Sequence, residues 1–213
     1  GGIVVHNIAG IAALASILFV GRRRVQDSGP HSIPLVALGT GLLWFGWYGF
    51  NAGSEFRVDA TTAMAFINTD LAASFAGVTW LLVEWMTTRK PKLVGLLTGS
   101  VAGLATVTPA AGYISPQSAV LIGIISGVVC FYAVALKNKL KWDDALDVWG
   151  VHGVGGFLGV VLLGVFATKS FNASGADGLL AGNPTFFIRQ CAAVLFSSVW
   201  AFVFTLGMLW VID

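Results

Sequence analysis

Seven apolar stretches, each close to the length that crosses a bilayer, follow one another through this 213-residue chain. They cover residues 1–20, 32–53, 60–86, 92–108, 115–136, 145–168 and 185–212. A run of about 20 apolar residues spans the hydrocarbon core. The fourth stretch is the shortest and stops at Pro109, ahead of the turn-rich TPAAGYISPQ. Charged residues make up only 10% of the chain and its mean hydropathy is +0.83, whereas soluble domains carry ~25% charged residues. The chain therefore finds its solvent in lipid and is predicted to be an all-α integral membrane protein, a polytopic helical bundle. A net charge of +2 is too small to suggest a nucleic-acid surface. The opening GGIVV has no Met, no basic region and no cleavage site, so it reads as an internal point of a longer protein rather than a signal peptide.

The connections predict the orientation. Arg22, Arg23 and Arg24 follow the first stretch, Arg89, Lys90 and Lys92 the third, and Lys137, Lys139 and Lys141 the fifth. The alternate connections hold only Arg57, Lys169 and Arg189, a split of nine against three. Because basic loops stay cytoplasmic, position 1 is expected outside and Asp213 inside, in a multi-pass protein of the cell membrane. Gly95, Gly99 and Gly103 recur at every fourth residue, and Gly153, Gly156 and Gly159 at every third. Small residues on one face let membrane helices approach closely.

Two histidines lie inside these apolar runs. VVHNIAGIAAL, from Val4, aligns with GVHGVGGFLGV, from Gly150, matching His6 with His152 and Gly10 with Gly156. The match is short and hydrophobic, which leaves chance as one explanation. By the charge argument, however, the two segments run in opposite directions. An inverted repeat places a transport site near the midplane, at the repeat interface. His152, eight residues after Asp144, is expected about 12 Å from the cytoplasmic edge, and His6, fourteen residues before Val20, about 21 Å from it. In a core ~30 Å thick, the two rings would flank the centre from opposite sides. A membrane histidine either glues helices through a hydrogen bond or serves function.

Three motifs carry a resemblance to a known family. WFGWYGFNAGS (44–54), DDALDVWGVHGVGG (143–156) and GGIVVHNIAG (1–10) resemble the sixth-, tenth- and fifth-helix signatures of the Amt/MEP/Rh ammonium transporters, closest to the Amt branch. That resemblance implies a fold of eleven helices with inverted repeats, assembled as a homotrimer with a pore in each subunit. Residues 1–213 would form the C-terminal part of a single transporter domain, its fifth to eleventh helices. It implies that His6 and His152 are the twin histidines of the pore and its proton relay. Phe50 would be an outer-gate ring, and Ser54, with Trp47 less directly, would recruit ammonium at the outer vestibule. Leu43 and Val148 would line the pore, and Asp144 and Asp147 would brace the start of the tenth helix. A second gating phenylalanine, the recruitment aromatics and a carboxylate eight residues before His6 would lie upstream of Gly1. Half the pore wall would be missing without the first repeat, so a first half is expected beside this chain.

The chemistry suits these residue types. Burying an ammonium ion in a dry pore is expensive, whereas neutral ammonia passes at far lower cost. Aromatic faces attract cations, a serine oxygen accepts an ammonium hydrogen bond, and neutral imidazole offers one donor and one acceptor. Its pKa near 6.5 suits a proton relay.

Other signals are weaker. Asp70, in the third stretch, departs from the neutral residues usual in the family; it is either paired or protonated in the bundle interior, or a polar element near the pore or a subunit interface. Glu84 is expected to snorkel to water or to pair with Arg89 or Lys90. His31 is expected to be solvated, and Cys130 and Cys191 to be packing residues. NAS at 172–174 fits a glycosylation sequon on the outer side. No zinc spacing, P-loop or Ser-His-acid pattern occurs, so neither an enzyme nor a cofactor or metal is expected. The expected partners are ammonium or ammonia, the lipid bilayer, and a cytosolic PII-type regulator or fused signalling domain. The competing readings are an ammonium sensor on the same fold and a fold with a blocked pore.

Overall fold

The computed structural model describes residues 2–25 and 29–213; Gly1 of the first expected stretch and Gln26–Ser28 of the basic loop lie outside the described residues. Among the described residues the structure is all helical. A π-helical segment, Gly2–Asn7, runs into α1 (Ile8–Val20); α2 (Ile33–Asn51), α3 (Ala60–Thr88), α4 (Leu93–Val107) and α5 (Pro116–Leu140) follow. A second π-helical segment, Trp149–Val154, runs into α6 (Gly155–Phe166), and α7 (Pro184–Ile212) closes the chain.

Local sequence starts these helices. Ser32, Ser115 and Asn183 each accept a hydrogen bond from the backbone N–H three residues on, and each is followed by a proline within the first helical turn. A capping side chain satisfies an orphan N–H, and proline there gives up an N–H that had no partner. Asp59 and Thr62 form a reciprocal capping box at the start of α3. Arg89 (φ 60°) and Lys141 (φ 57°) end α3 and α5 in the left-handed conformation.

Among the described residues, six helices have the length and apolarity to cross a membrane; the fourth expected span does not. α4 has 15 residues, ~22 Å at 1.5 Å per residue. Pro109 cannot donate the next helical hydrogen bond, and the chain goes on as tight turns through Tyr113. Buried Asn68 of α3 donates to the carbonyls of Ala111 (2.8 Å) and Ile114 (2.9 Å). Irregular backbone at membrane depth survives where protein groups satisfy it in this way. The sixth span begins later than the expected residue 145. Asp147 takes a left-handed conformation (φ 55°), and helical structure starts at Val148. His152 is thus about one turn into its helix, not the eight residues that the depth estimate assumed.

α3, α4 and α5 pack through alanine and glycine. A Cβ on Gly103 of α4 or Gly123 of α5 would collide with the Ala72 carbonyl of α3, so that wall closes only without side chains there. The same device joins the two histidine segments, and reciprocally. A Cβ on Gly10 would run into the backbone of His152 and Gly153, and one on Gly156 would lie 2.6 Å from Asn7 N and 2.8 Å from His6 Cβ. Each histidine therefore packs against the glycine four residues beyond the other, the arrangement that an inverted repeat produces.

Glu84 departs from expectation. It is buried, accepts a hydrogen bond from Lys92 N (3.1 Å) and pairs with Lys92 Nζ (3.8 Å), not with Arg89 or Lys90. Its side chain faces α4, beside Gly95, which sets the carboxylate at the N-terminus of that helix, where a negative charge is favoured. Lys137, counted with the basic loop, is in fact buried in α5.

Candidate conduction site

His6 and His152 meet where the two π-helical segments cross. Their Nδ1 atoms are 3.2 Å apart, and the rings lie nearly parallel, with centroids 5.3 Å apart and 22° between planes. One Nδ1 must carry the proton and the other accept it, so the pair holds complementary tautomers. Both segments are π-helical, a local widening common at functional sites. His6 is 4% exposed, and its Nε2 has no hydrogen-bond partner among the described residues.

His6 also meets aromatics from α2. Trp47 stacks on it (5.1 Å, 12°) and Phe50 meets it edge-on (5.9 Å, 66°). Trp47 is buried and its Nε1 donates to Thr108 Oγ1 (2.9 Å). Sequence reasoning set Trp47 near the vestibule and gave no sign that it would stack on the histidine.

Cavities flank this cluster at opposite ends of the bundle. One of about 240 Å³, beside the 52–59 and 108–113 connections, is lined by Phe50, Asn51, Ser54, Thr108 and Tyr113. Ser54 Oγ donates to the Phe50 carbonyl (2.6 Å), so its oxygen lone pairs remain for a cation. The other, of about 580 Å³, at the end carrying Arg23, is lined by Thr40, Val101, Asp147, Val151 and His152. Leu43 is 47% exposed and Val148 is partly buried; neither lines the two cavities.

The segment under His152 is held by charges. The Asp144 carboxylate accepts hydrogen bonds from Val148 N (3.0 Å) and Trp149 N (2.8 Å), capping the helix. Lys137 Nζ donates to the Asp144 carbonyl (2.9 Å) and pairs with Asp147 (2.6 Å). Arg23 forms an ion pair with Asp143 (2.7 Å). The role of Lys137 escaped sequence reasoning because a lysine near a helix C-terminus reads as a solvated loop charge.

Asp70, in α3, accepts a hydrogen bond from the Tyr48 hydroxyl (2.5 Å). It is paired, and its partner belongs to the helix that carries Trp47 and Phe50.

The profile of the Ammonium Transporter Family matches residues 1–213. The chain belongs to the ammonium transporter family. It is 46% identical over 213 residues to an ammonium transporter of Aquifex aeolicus, covering 100% of this chain and 50% of that protein. The crystal structure of Candida albicans Mep2 superposes with a TM-score of 0.93 at 40% identity, covering 100% of this chain and 50% of that one. A structure described as a sensor Amt protein matches at 0.88 and 33% identity, covering 100% and 54%. This family member thus spans about half the length of the curated relatives it matches.

Proposed function

We propose that this chain forms part of an apolar pore that moves ammonium across the cell membrane by passing neutral ammonia past the paired His6 and His152. The observation that carries this reading is the 3.2 Å Nδ1 contact between His6 and His152, with cavities toward both ends of the helices. Ser54 and the Phe50 ring receive the cation at the outer cavity, where a hydroxyl oxygen and an aromatic face both favour it. The proton leaves there, because a charge in the dry passage is too costly. Trp47 and Phe50 exclude water around His6. The imidazole pair supplies a donor and an acceptor without a fixed charge, and relays the proton as ammonia crosses. Asp144 and Asp147 hold the helix that carries His152, while Leu43 and Val148 belong to the apolar wall.

In this reading the connections that follow α1, α3 and α5 face the cytoplasm, position 1 of the chain lies outside and Asp213 inside. The working unit is a homotrimer of full-length subunits, and a PII-type regulator or a fused domain would meet its cytoplasmic face. The transporter reading stands ahead of the sensor because relatives at 44% and 46% identity carry transporter names, against 33% for the sensor Amt protein.

The test is ammonium-evoked current and uptake by the full-length protein in proteoliposomes, with His6→Ala and His152→Ala beside wild type. Either change should remove the current. Unchanged current in both variants would refute the relay, and absent uptake by wild type would refute transport.

A further inference from the structure

The helix that carries Trp47 and Phe50 is tied to α3 and to the end of α4 by side chains. Within α2 only Thr40 and Trp47 are buried. A Cβ added at Gly39, Gly41, Gly46 or Gly49 would meet nothing within 4 Å, so no backbone of this chain packs against those positions. Within this chain, polar side chains tie α2 to its neighbours. Among the described residues, the side-chain hydrogen bonds from α2 to other helices or their ends are Trp47 to Thr108 (2.9 Å), Tyr48 to Asp70 (2.5 Å) and Asn51 to Thr69 (2.9 Å). They fall within little more than one turn. Tyr48 also stacks on Phe66 (4.0 Å between centroids, 19°), four residues before Asp70 on α3, so its ring is gripped along its face and its hydroxyl at the tip.

We propose that Asp70 is a positioning residue: through the Tyr48 hydroxyl it sets the rotation of α2, and so holds the Trp47 and Phe50 rings against His6. This deepens the conduction reading and rests on it. Tyr48 directly follows Trp47 and lies two residues before Phe50, so a swing of its hydroxyl turns both rings. A phenol donating to a carboxylate is a charge-assisted bond, stronger than one to a neutral acceptor. It is therefore the strongest of the ties at this turn, and it lies outside the pore. Loosening it would relax the wall around His6 without removing any group that touches ammonia. The expected consequence is a passage less able to tell ammonium from the larger methylammonium.

The experiment uses the full-length protein with Tyr48→Phe, Asp70→Leu, Asp70→Asn and the Tyr48→Phe/Asp70→Leu double variant. The first readout is the ratio of ammonium to methylammonium uptake in proteoliposomes, which does not depend on how much protein is folded. Tyr48→Phe and Asp70→Leu should each lower that ratio by about threefold or more, the effect of losing one such bond. The double variant should be no worse than either single one, and Asp70→Asn, which keeps an acceptor, should recover most of the ratio. The second readout needs no transport: the ring signals of isotope-labelled histidine in nanodiscs, with His6 assigned through His6→Gln. Both single variants should move the His6 signal, because the Trp47 ring current acts on it. An unmoved His6 signal in Tyr48→Phe and Asp70→Leu overturns the proposal whether or not the protein transports. So do effects that add in the double variant, or Asp70→Asn behaving as Asp70→Leu. A wild-type protein without ammonium uptake removes the conduction reading instead, and is told apart by that control.

Discussion

The crossing of the two histidine segments is the most demanding contact in the fold, and Gly156→Ala probes it directly. The new Cβ would sit 2.6 Å from Asn7 N and 2.8 Å from His6 Cβ. Ordinary contacts of this kind are ~3.5 Å or more, so the Gly2–Asn7 segment must retreat by ~1 Å. The Nδ1 pair, now 3.2 Å apart, would open to ~4 Å, beyond hydrogen-bonding reach. Overpacking of this kind costs about 1–3 kcal/mol, a loss that the full-length protein can bear while staying folded. The expected result is a well-folded protein, by size-exclusion profile and thermal unfolding, whose ammonium current in proteoliposomes falls at least tenfold. Gly207→Ala is the control, since a Cβ there meets nothing within 4 Å; it should leave current unchanged and slightly raise stability through helix propensity. Gly156→Ala with wild-type current would refute the reasoning, because it would show that the pair need not be in contact to conduct.

Asn68→Leu should strand the buried carbonyls of Ala111 and Ile114 that Asn68 now satisfies; a loss of roughly 2–4 kcal/mol should appear as a lowered thermal-unfolding midpoint of the full-length protein. Ser54→Ala removes a hydroxyl from the smaller cavity and should raise the half-saturating ammonium concentration several-fold in uptake assays, with little change in maximal rate. Lys137→Met leaves the Asp147 carboxylate without the ion pair that now holds it at 2.6 Å; breaking a buried pair costs about 3–5 kcal/mol, less here because Asp147 keeps some solvent exposure, and Lys137→Met/Asp147→Asn should recover much of that stability.

Much of the fold was legible in the chain because its signals are local. Long apolar runs report a membrane solvent wherever they sit. The fourth span was readable as the short one, since Pro109 ends it regardless of context. Misreadings arose where a residue's partner lies across a helix interface. Glu84 was assigned to near neighbours along the chain, yet the angle at which α3 packs on α4 delivers Lys92 instead. Asp144 caps its own helix, and the late start at Val148 follows from the left-handed Asp147 just before it.

Sequence alone determined that this is a helical membrane protein with two histidines in matched apolar frames, because hydrophobicity and motif spacing are written residue by residue. The tertiary structure decided that those histidines touch across 146 positions, that Trp47 covers one of them, and that Lys137 is buried against Asp147. Each of these depends on how closely two helices approach and at what rotation. Glycines such as Gly10 and Gly156 permit that approach, but it is settled only when all the helices pack together.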